Sequence, residues 1–181
     1  MAAAPRPAAT AFTQWQSTTR RPPQTFSRQG HVRGFEQAVP HAGIVGKLLI
    51  ADAIELASDP HGDTPLFEVG RVSAAQILAA DGHPTAVIAI KDMMAIGVGM
   101  GLKQRGLRMP REVSLIGIDD ISLAAVHDPP LTTLRQPVLA LADAAVQQIL
   151  QPAQALATTS LVTLFAPEWI VRAFTMALLR R

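Results

Sequence analysis

The chain has 181 residues, of which 49% are hydrophobic and 17% are charged, and its formal net charge is +2. This balance predicts a soluble globular protein and argues against a disordered one, while the small, scattered excess of basic residues does not indicate nucleic-acid binding. The absence of cysteine excludes a disulfide scaffold and a thiolate site, and no run reaches the roughly 20 apolar residues of a membrane span, so we expect a cytoplasmic protein.

The first 27 residues, "MAAAPRPAATAFTQWQSTTRRPPQTFS", are rich in Ala, Pro, Thr and Ser. They show no hydrophobic period and contain no acidic residue. Such a composition is typical of chain that builds no packed core, so we expect residues 1–27 to be a disordered tail.

Helical and extended patterns alternate in the next part of the chain. Apolar spacing predicts a helix over residues 29–39, which Pro40 should stop. The run "KLLIADAI" (47–54) predicts a strand, and the Pro, Gly and Asp content of residues 55–66 predicts a loop. A second helix is predicted over residues 68–80.

The clearest pattern is a strand, a helix and a second strand. The β-branched run "TAVIAI" (85–90) predicts the first strand and "VSLIGI" (113–118) the second. Between them, Asp92 is well placed to cap the N-terminus of a helix over residues 93–105, and Gly106 to end it. These elements form a βαβ unit, which predicts a parallel sheet.

Four polar residues follow the two strands of this unit. Lys91 and Asp92 come after the first strand, and Asp119 and Asp120 come after the second. Ligands of parallel sheets bind outside the carboxyl ends of the strands, so we expect these residues to converge there. A carboxylate accepts hydrogen bonds, which suits Asp119 to the hydroxyl or N–H donors of a polar ligand, while Asp120 would orient the loop or cap the next turn. The alternative is that both acids form a solvated turn.

The C-terminal third contains less specific patterns. Its prolines predict an extended linker over residues 127–137, followed by a helix over residues 138–150 that is apolar around much of its circumference. Such a helix needs a covering surface. The stretch "SLVTLFAPEWIVR" (160–172) predicts a strand, a break at the proline and a short strand.

Three catalytic or cofactor-binding interpretations compete with that of a polar-ligand site at Asp119. Gly97, Gly99 and Gly101 do not form a dinucleotide fingerprint, because they lie inside the predicted helix; we expect them to let the helix approach the sheet closely. The two acids after the second strand allow a magnesium-dependent phosphotransfer domain. However, Lys91 precedes the acid pair along the chain, whereas in receiver domains the acid pair comes first. No serine-nucleophile motif is present. We therefore expect no catalytic residue, metal site or cofactor.

Residues 84–137 resemble the lactose-repressor-type (LacI/GalR) transcriptional regulators. The resemblance is carried by "AVIAIKDMMAIG", "RGLRMP", "VSLIGIDD" and "PPLTTLRQP", which occur in the family's order. Shorter similarities at "RGFEQA", "FEVGRVSAAQIL" and "FAPEWIVR" extend it, so that residues 28–175 resemble the C-terminal part of the family's sensor domain, with a tail at 176–181.

The resemblance implies an α/β fold of the periplasmic-binding-protein-like type: a parallel-sheet lobe with three layers, αβα, here incomplete. It further implies a non-enzymatic regulator that binds a small polar effector (a sugar, a sugar derivative or a nucleobase) and acts as a homodimer without a membrane partner. We expect operator DNA to be bound only through a helix-turn-helix headpiece outside this chain. The helix over residues 138–150 resembles one that belongs to the missing N-terminal lobe. A solute-binding protein for sugar uptake is the alternative with the same fold.

For the site, the resemblance places Asp119 in the effector pocket. Phe67 falls near a position where the family often has an aromatic residue against the ligand. The family usually has Arg at the position of His31 and often Asn at that of Lys91. Our hypothesis is that this His and Lys favour an anionic ligand, such as a sugar phosphate or a sugar acid.

Overall fold

The structure is a computed structural model that describes residues 8–14, 26–51, 64–79, 84–150 and 162–177. Within these ranges, strands and helices alternate along most of the chain. The strands are β1 (Ala8–Gln14), β2 (Val45–Ala51), β3 (Ala86–Ala89), β4 (Ser114–Ile118), β5 (Thr132–Arg135) and β6 (Glu168–Ile170). The helices are α1 (Phe26–His41), α2 (Thr64–Ala79), α3 (Asp92–Lys103), α4 (Ser122–Val126) and α5 (Val138–Leu150).

The six strands form one sheet in the order β2-β1-β3-β4-β5-β6. Strands β1 to β5 are parallel to their neighbours, and only β6 is antiparallel, at the edge beside β5. The predicted α/β class with a parallel sheet is confirmed. The path from β1 to β2 runs in one direction across the sheet, and the paths from β2 to β3 and from β3 to β4 run in the other. Right-handed crossovers then place α1 on one face and α2 and α3 on the opposite face.

The core lies between β3, β4 and the pair of helices α2 and α3. Val87 on β3, Leu115 on β4 and Leu102 on α3 are fully buried. Phe174, from the segment after β6, joins the same cluster, and its backbone carbonyl accepts a hydrogen bond from Leu115 N at 2.9 Å. The chain after β6 is therefore part of the folded unit.

Helices α2 and α3 pack at very short distance. A Cβ atom at Gly97 or Gly101 would overlap the backbone of Phe67 or Arg71 on α2. The prediction that the glycines of α3 bring the helix close to the sheet is wrong for these two, because they face a helix. Among them only Gly99 faces the sheet, where a Cβ atom would meet Leu115 at 3.0 Å.

The predicted N-terminal tail contains a central strand. Strand β1 pairs in parallel with β2 on one side and β3 on the other, so the expectation of disorder over residues 1–27 is wrong for residues 8–14 and for the start of α1. Residues 1–7 and 15–25 lie outside the described part. Two-sided pairing is a tertiary effect that composition does not reveal. The available signal was the uncharged run "AATAFTQ".

Several boundaries differ from the prediction. Helix α2 begins at Thr64, so the end of the predicted loop over residues 55–66 is helical; Pro65 is tolerated there because the first turn of a helix needs few N–H donors. Strand β5 lies inside the predicted linker over residues 127–137, and residues 162–167 do not form the predicted strand. The end of the strand predicted over residues 47–54 lies outside the described residues.

Asp92 does not cap α3. The N-cap residue is Lys91, which makes no side-chain capping hydrogen bond, and Asp92 is the first helical residue. At the other end, Gly106 has φ of +87°. Its N–H donates to Lys103 O at 3.0 Å and the N–H of Leu107 donates to Leu102 O at 3.2 Å, the hydrogen-bond pattern that ends a helix at a left-handed residue.

Helix α5 makes little contact with the rest of the described chain. None of its residues is buried, and Leu139 and Ile149 are 84% and 79% exposed. At about 100° per residue, the large exposed apolar side chains of α5 other than Leu141 lie within roughly a third of the helix circumference. We call this set the α5 stripe: Val138, Leu139, Val146, Ile149 and Leu150. No helix among the described residues is long and apolar enough to cross a membrane.

Candidate functional site

The candidate site lies at the carboxyl ends of β3 and β4, near the N-terminal half of α1. Lys91 follows β3, Asp119 follows β4 directly, and His31 lies in the second turn of α1. The direction of the chain path changes between β1 and β3, which is the point where ligands bind in open parallel sheets. The fold therefore brings three of the predicted site residues to the expected edge.

Lys91 and Asp119 form an ion pair. The Nζ atom of Lys91 lies 2.8 Å from Oδ2 of Asp119, and the two side chains are 45% and 22% exposed. The other carboxylate oxygen, Oδ1, accepts a hydrogen bond from Nε2 of Gln136 at 2.7 Å. Both oxygens of Asp119 thus have a donor, and both donors come from residues that are exposed at this edge.

His31 stands close enough to this pair for the charges to act on its ring. Its pKa is lowered from the ordinary value, mainly because protein surrounding the ring disfavours the charged form and also because of the positive charge of Lys91. The negative charge of Asp119 acts in the opposite direction and only partly offsets these effects. The ring remains exposed to solvent. At neutral pH His31 is therefore mostly a neutral donor and acceptor.

The backbone turns sharply where β4 ends. Asp119 and Asp120 have φ of 120° and 56°, values that residues with a side chain rarely adopt. The N–H of Asp119 donates to Leu134 O at 2.9 Å, which ties the turn to β5. Such backbone conformations persist only where surrounding contacts impose them, and they are concentrated at functional sites.

Asp120 points away from Asp119 and towards the last part of the sheet. It accepts a hydrogen bond from Arg172 at 2.7 Å on one oxygen and from Arg135 at 2.7 Å on the other. Burial on its own raises the pKa of this carboxyl, but the hydrogen bonds and charges of the two arginines outweigh burial and lower it. These two arginines connect the turn to β5 and to the segment after β6, and Asp120 makes no capping hydrogen bond to α4.

Asp92 performs the bonding that was expected of Asp120. It is almost fully buried, accepts a hydrogen bond from the N–H of Ile121 at 2.9 Å, and accepts another from the Thr133 hydroxyl at 2.6 Å. Burial raises its pKa, and these hydrogen bonds partly counteract the rise. A Cβ atom at Gly117 would overlap Asp92, so glycine on β4 makes room for this carboxylate.

Phe67 is not joined to this cluster by the described contacts. It is half-buried near the start of α2, packs against the core and contributes its backbone to the close approach of α3. Sequence reasoning also missed Gln136 and Thr133, which lie in or next to β5, inside the segment interpreted as a linker. The only signal for them was their place in the quoted motif "PPLTTLRQP".

The arrangement suits hydrogen bonding to a polar ligand better than metal binding. Asp92, Asp119 and Asp120 each have protein donors on both carboxylate oxygens. Among the described residues there is no group of three or more His, Cys, Asp or Glu side chains that could hold a metal ion. A magnesium site for phosphotransfer would need free carboxylate oxygens here.

Comparison with known proteins identifies the class of domain. Residues 31–175 match the family model of the periplasmic binding protein-like domain. The chain is 40% identical over 109 residues to the HTH-type transcriptional regulator MalR of Streptomyces coelicolor, an alignment that covers 60% of this chain and 31% of that protein. The chain therefore spans about a third of the length of this relative, a transcriptional regulator.

Solved structures share the fold at lower sequence identity. A LacI family regulator from Arthrobacter sp. FB24 in complex with lactose has a TM-score of 0.69 and 22% identity, and the match covers 94% of this chain and 59% of that one. The lac repressor dimer bound to operator and the anti-inducer ONPF has a TM-score of 0.73 and 22% identity, with coverage of 95% and 54%. These similarities concern the fold.

Proposed function

Because the chain belongs to the periplasmic binding protein-like family, in the part that LacI-family transcriptional regulators share, we propose that it is the effector-sensing portion of such a regulator. Its ligand is a small polar molecule: a sugar, a sugar derivative or a nucleobase. In the full-length protein, binding of this effector changes the affinity of a homodimer for operator DNA, which a separate headpiece contacts. The protein acts in the cytoplasm and is not an enzyme.

The observation that carries this proposal is the position and backbone of Asp119. Its carboxylate stands at the carboxyl end of β4, at the ligand-binding edge of a parallel sheet, on a residue with φ of 120°. A residue with this backbone conformation costs free energy, and such residues are concentrated at functional sites. The side chain is partly exposed, so a ligand can reach it.

The proposed ligand class follows from the donors and acceptors around Asp119. A carboxylate accepts from neighbouring hydroxyl groups of a sugar or from N–H groups of a base. Gln136 provides both a donor and an acceptor, and the neutral His31 ring provides another of each. Lactose and ribose, which are bound in two structures with the same fold, are also rich in hydroxyl groups, which agrees with this class.

A ligand panel tests the proposal on the purified chain. Thermal unfolding is followed with neutral sugars, sugar phosphates, sugar acids, nucleobases and Mg²⁺, each added separately. A ligand at about 100 times its dissociation constant adds about 2.7 kcal/mol to the free energy of unfolding. We expect a shift with one sugar or nucleobase class. A shift with Mg²⁺ alone supports the phosphotransfer alternative.

A further inference from the structure

We propose that the ammonium group of Lys91 occupies a hydrogen-bond acceptor position on Asp119 that a ligand can also use. The need to displace this group determines whether the site prefers neutral or anionic ligands. This inference rests on the proposed function, because it concerns how the same site selects among effectors. It assigns Lys91 the part of a specificity-determining residue rather than that of a passive neighbour.

The two donors on Asp119 differ in how readily they can leave. Lys91 reaches Oδ2 with a flexible side chain that is 45% exposed, so its ammonium group can move into water. Gln136, which donates to Oδ1, directly follows β5, and the backbone of β5 is fixed by pairing with β4 and β6. A hydroxyl group of a neutral sugar that donates to Oδ2 from the position now taken by the ammonium group therefore has to displace Lys91.

Replacement of Lys91 weakens neutral ligands only moderately. Partly exposed ion pairs contribute little, so breaking this one reduces affinity by up to about fivefold. This loss applies to every neutral ligand that donates to Oδ2 from the position of the ammonium group. It disappears when the ammonium group is removed.

An anionic ligand avoids this displacement. The ammonium group of Lys91 has three N–H donors, and Asp119 uses one of them. A carboxylate or phosphate group can accept from the remaining donors while the ion pair stays intact, in a charge-assisted hydrogen bond. The exposed ring of His31, on the facing helix, can donate to the same group. Lys91 therefore favours anions and disfavours neutral ligands through one contact.

The test compares neutral and anionic members of two probe pairs, glucose with glucuronate and ribose with ribose 5-phosphate. Dissociation constants are measured by calorimetry for the full chain, for Lys91→Met and for the control Lys103→Met. Methionine keeps the apolar stem without the charge, and Lys103 lies on the exposed end of α3, away from the site. Circular dichroism checks that each variant is folded.

The expected result is an opposite response of the two ligand classes. Lys91→Met should bind the neutral member up to about fivefold tighter and the anionic member about tenfold weaker or more, while Lys103→Met changes neither. If a probe binds and Lys91→Met shifts both members in the same direction, the inference is wrong and the proposed function stands. If no probe binds any folded variant, this inference fails, whereas the proposed function fails only if the wider ligand panel, with its nucleobases, also gives no shift.

Discussion

Asp119 and Asp120 are adjacent in the chain, but their carboxylates bind donors on different parts of the protein. Asp119 accepts from Lys91 and Gln136 at the exposed carboxyl edge of the sheet, while Asp120 accepts from Arg172 and Arg135 and is only 7% exposed. The positive φ of both residues directs the two side chains apart. One acid is thus available to a ligand and the other holds the turn in place.

The first prediction follows from this difference in burial. Asp120→Asn should lower the free energy of unfolding by about 1.5–3 kcal/mol, because the largely buried Arg172 loses its charged acceptor. Asp119→Asn should cost less than about 1 kcal/mol, since it removes a partly exposed ion pair. Asparagine tolerates positive φ, so the two variants are matched. Urea unfolding measures both, and equal losses would contradict the assignment.

The second prediction concerns the pH dependence of the Asp120 contribution. The pKa of this carboxyl is lowered in the folded protein, so its stabilising effect is fully present above the ordinary carboxyl pKa of about 3.9 and is lost as the pH falls through the lower folded value. The difference in melting temperature between the native chain and Asp120→Asn should therefore be large at pH 7 and shrink on acidification below about pH 4. A difference that stays constant or grows would show that the ion pairs do not stabilise the fold.

The third prediction tests the buried carboxylate of Asp92. Asp92→Ala removes the acceptor of Ile121 N–H and of the Thr133 hydroxyl, so we expect a loss of about 2–4 kcal/mol in urea unfolding. Thr133→Val removes the hydrogen bond to Asp92 and also the acceptor of the Asp120 N–H at 3.3 Å, so it should cost about 1–3 kcal/mol. The double variant should cost less than the sum, because both changes disrupt one hydrogen-bond network. Additive losses would mean that the two side chains act independently.

The fourth prediction concerns the α5 stripe, whose exposed apolar side chains have no cover among the described residues. Contiguous apolar patches of this kind favour association, so the purified chain should self-associate as its concentration rises. The double variant Leu139→Gln, Ile149→Gln should weaken association, whereas Gln147→Glu, on the same helix, should change it little. Sedimentation velocity over a hundredfold range of concentration measures this. A native chain that stays monomeric throughout would contradict the prediction.

Sequence reasoning located the edge of the sheet but not the partners within it. Parallel strands end at the same edge, which was enough to bring Lys91 together with Asp119. The sequence did not reveal that Asp92 turns from α3 towards Ile121 and Thr133, nor that Asp120 binds two arginines, because the direction of each side chain depends on the φ values of the turn and on the room left by Gly117. Strand periodicity carries no information about either.

The remaining differences also have tertiary causes. Strand β5 is only four residues long and follows two prolines, so its sequence favours a linker until β4 and β6 pair with it on both sides. Strand β1 likewise depends on its two neighbours. The exposed face of α5, in contrast, was predictable, since its sequence is apolar around much of the helix and the resemblance places this helix in the other lobe of the family's sensor domain.

The most direct test of the sensor proposal is ligand-dependent unfolding of the native chain beside Asp119→Asn. We expect one sugar or nucleobase class to raise the free energy of unfolding of the native chain by about 2.7 kcal/mol at 100 times its dissociation constant. The folded Asp119→Asn variant should lose most of that increase, while Asp120→Asn, although less stable, should retain it. An unchanged melt of the native chain with every ligand, or an increase that survives in Asp119→Asn, would contradict the account.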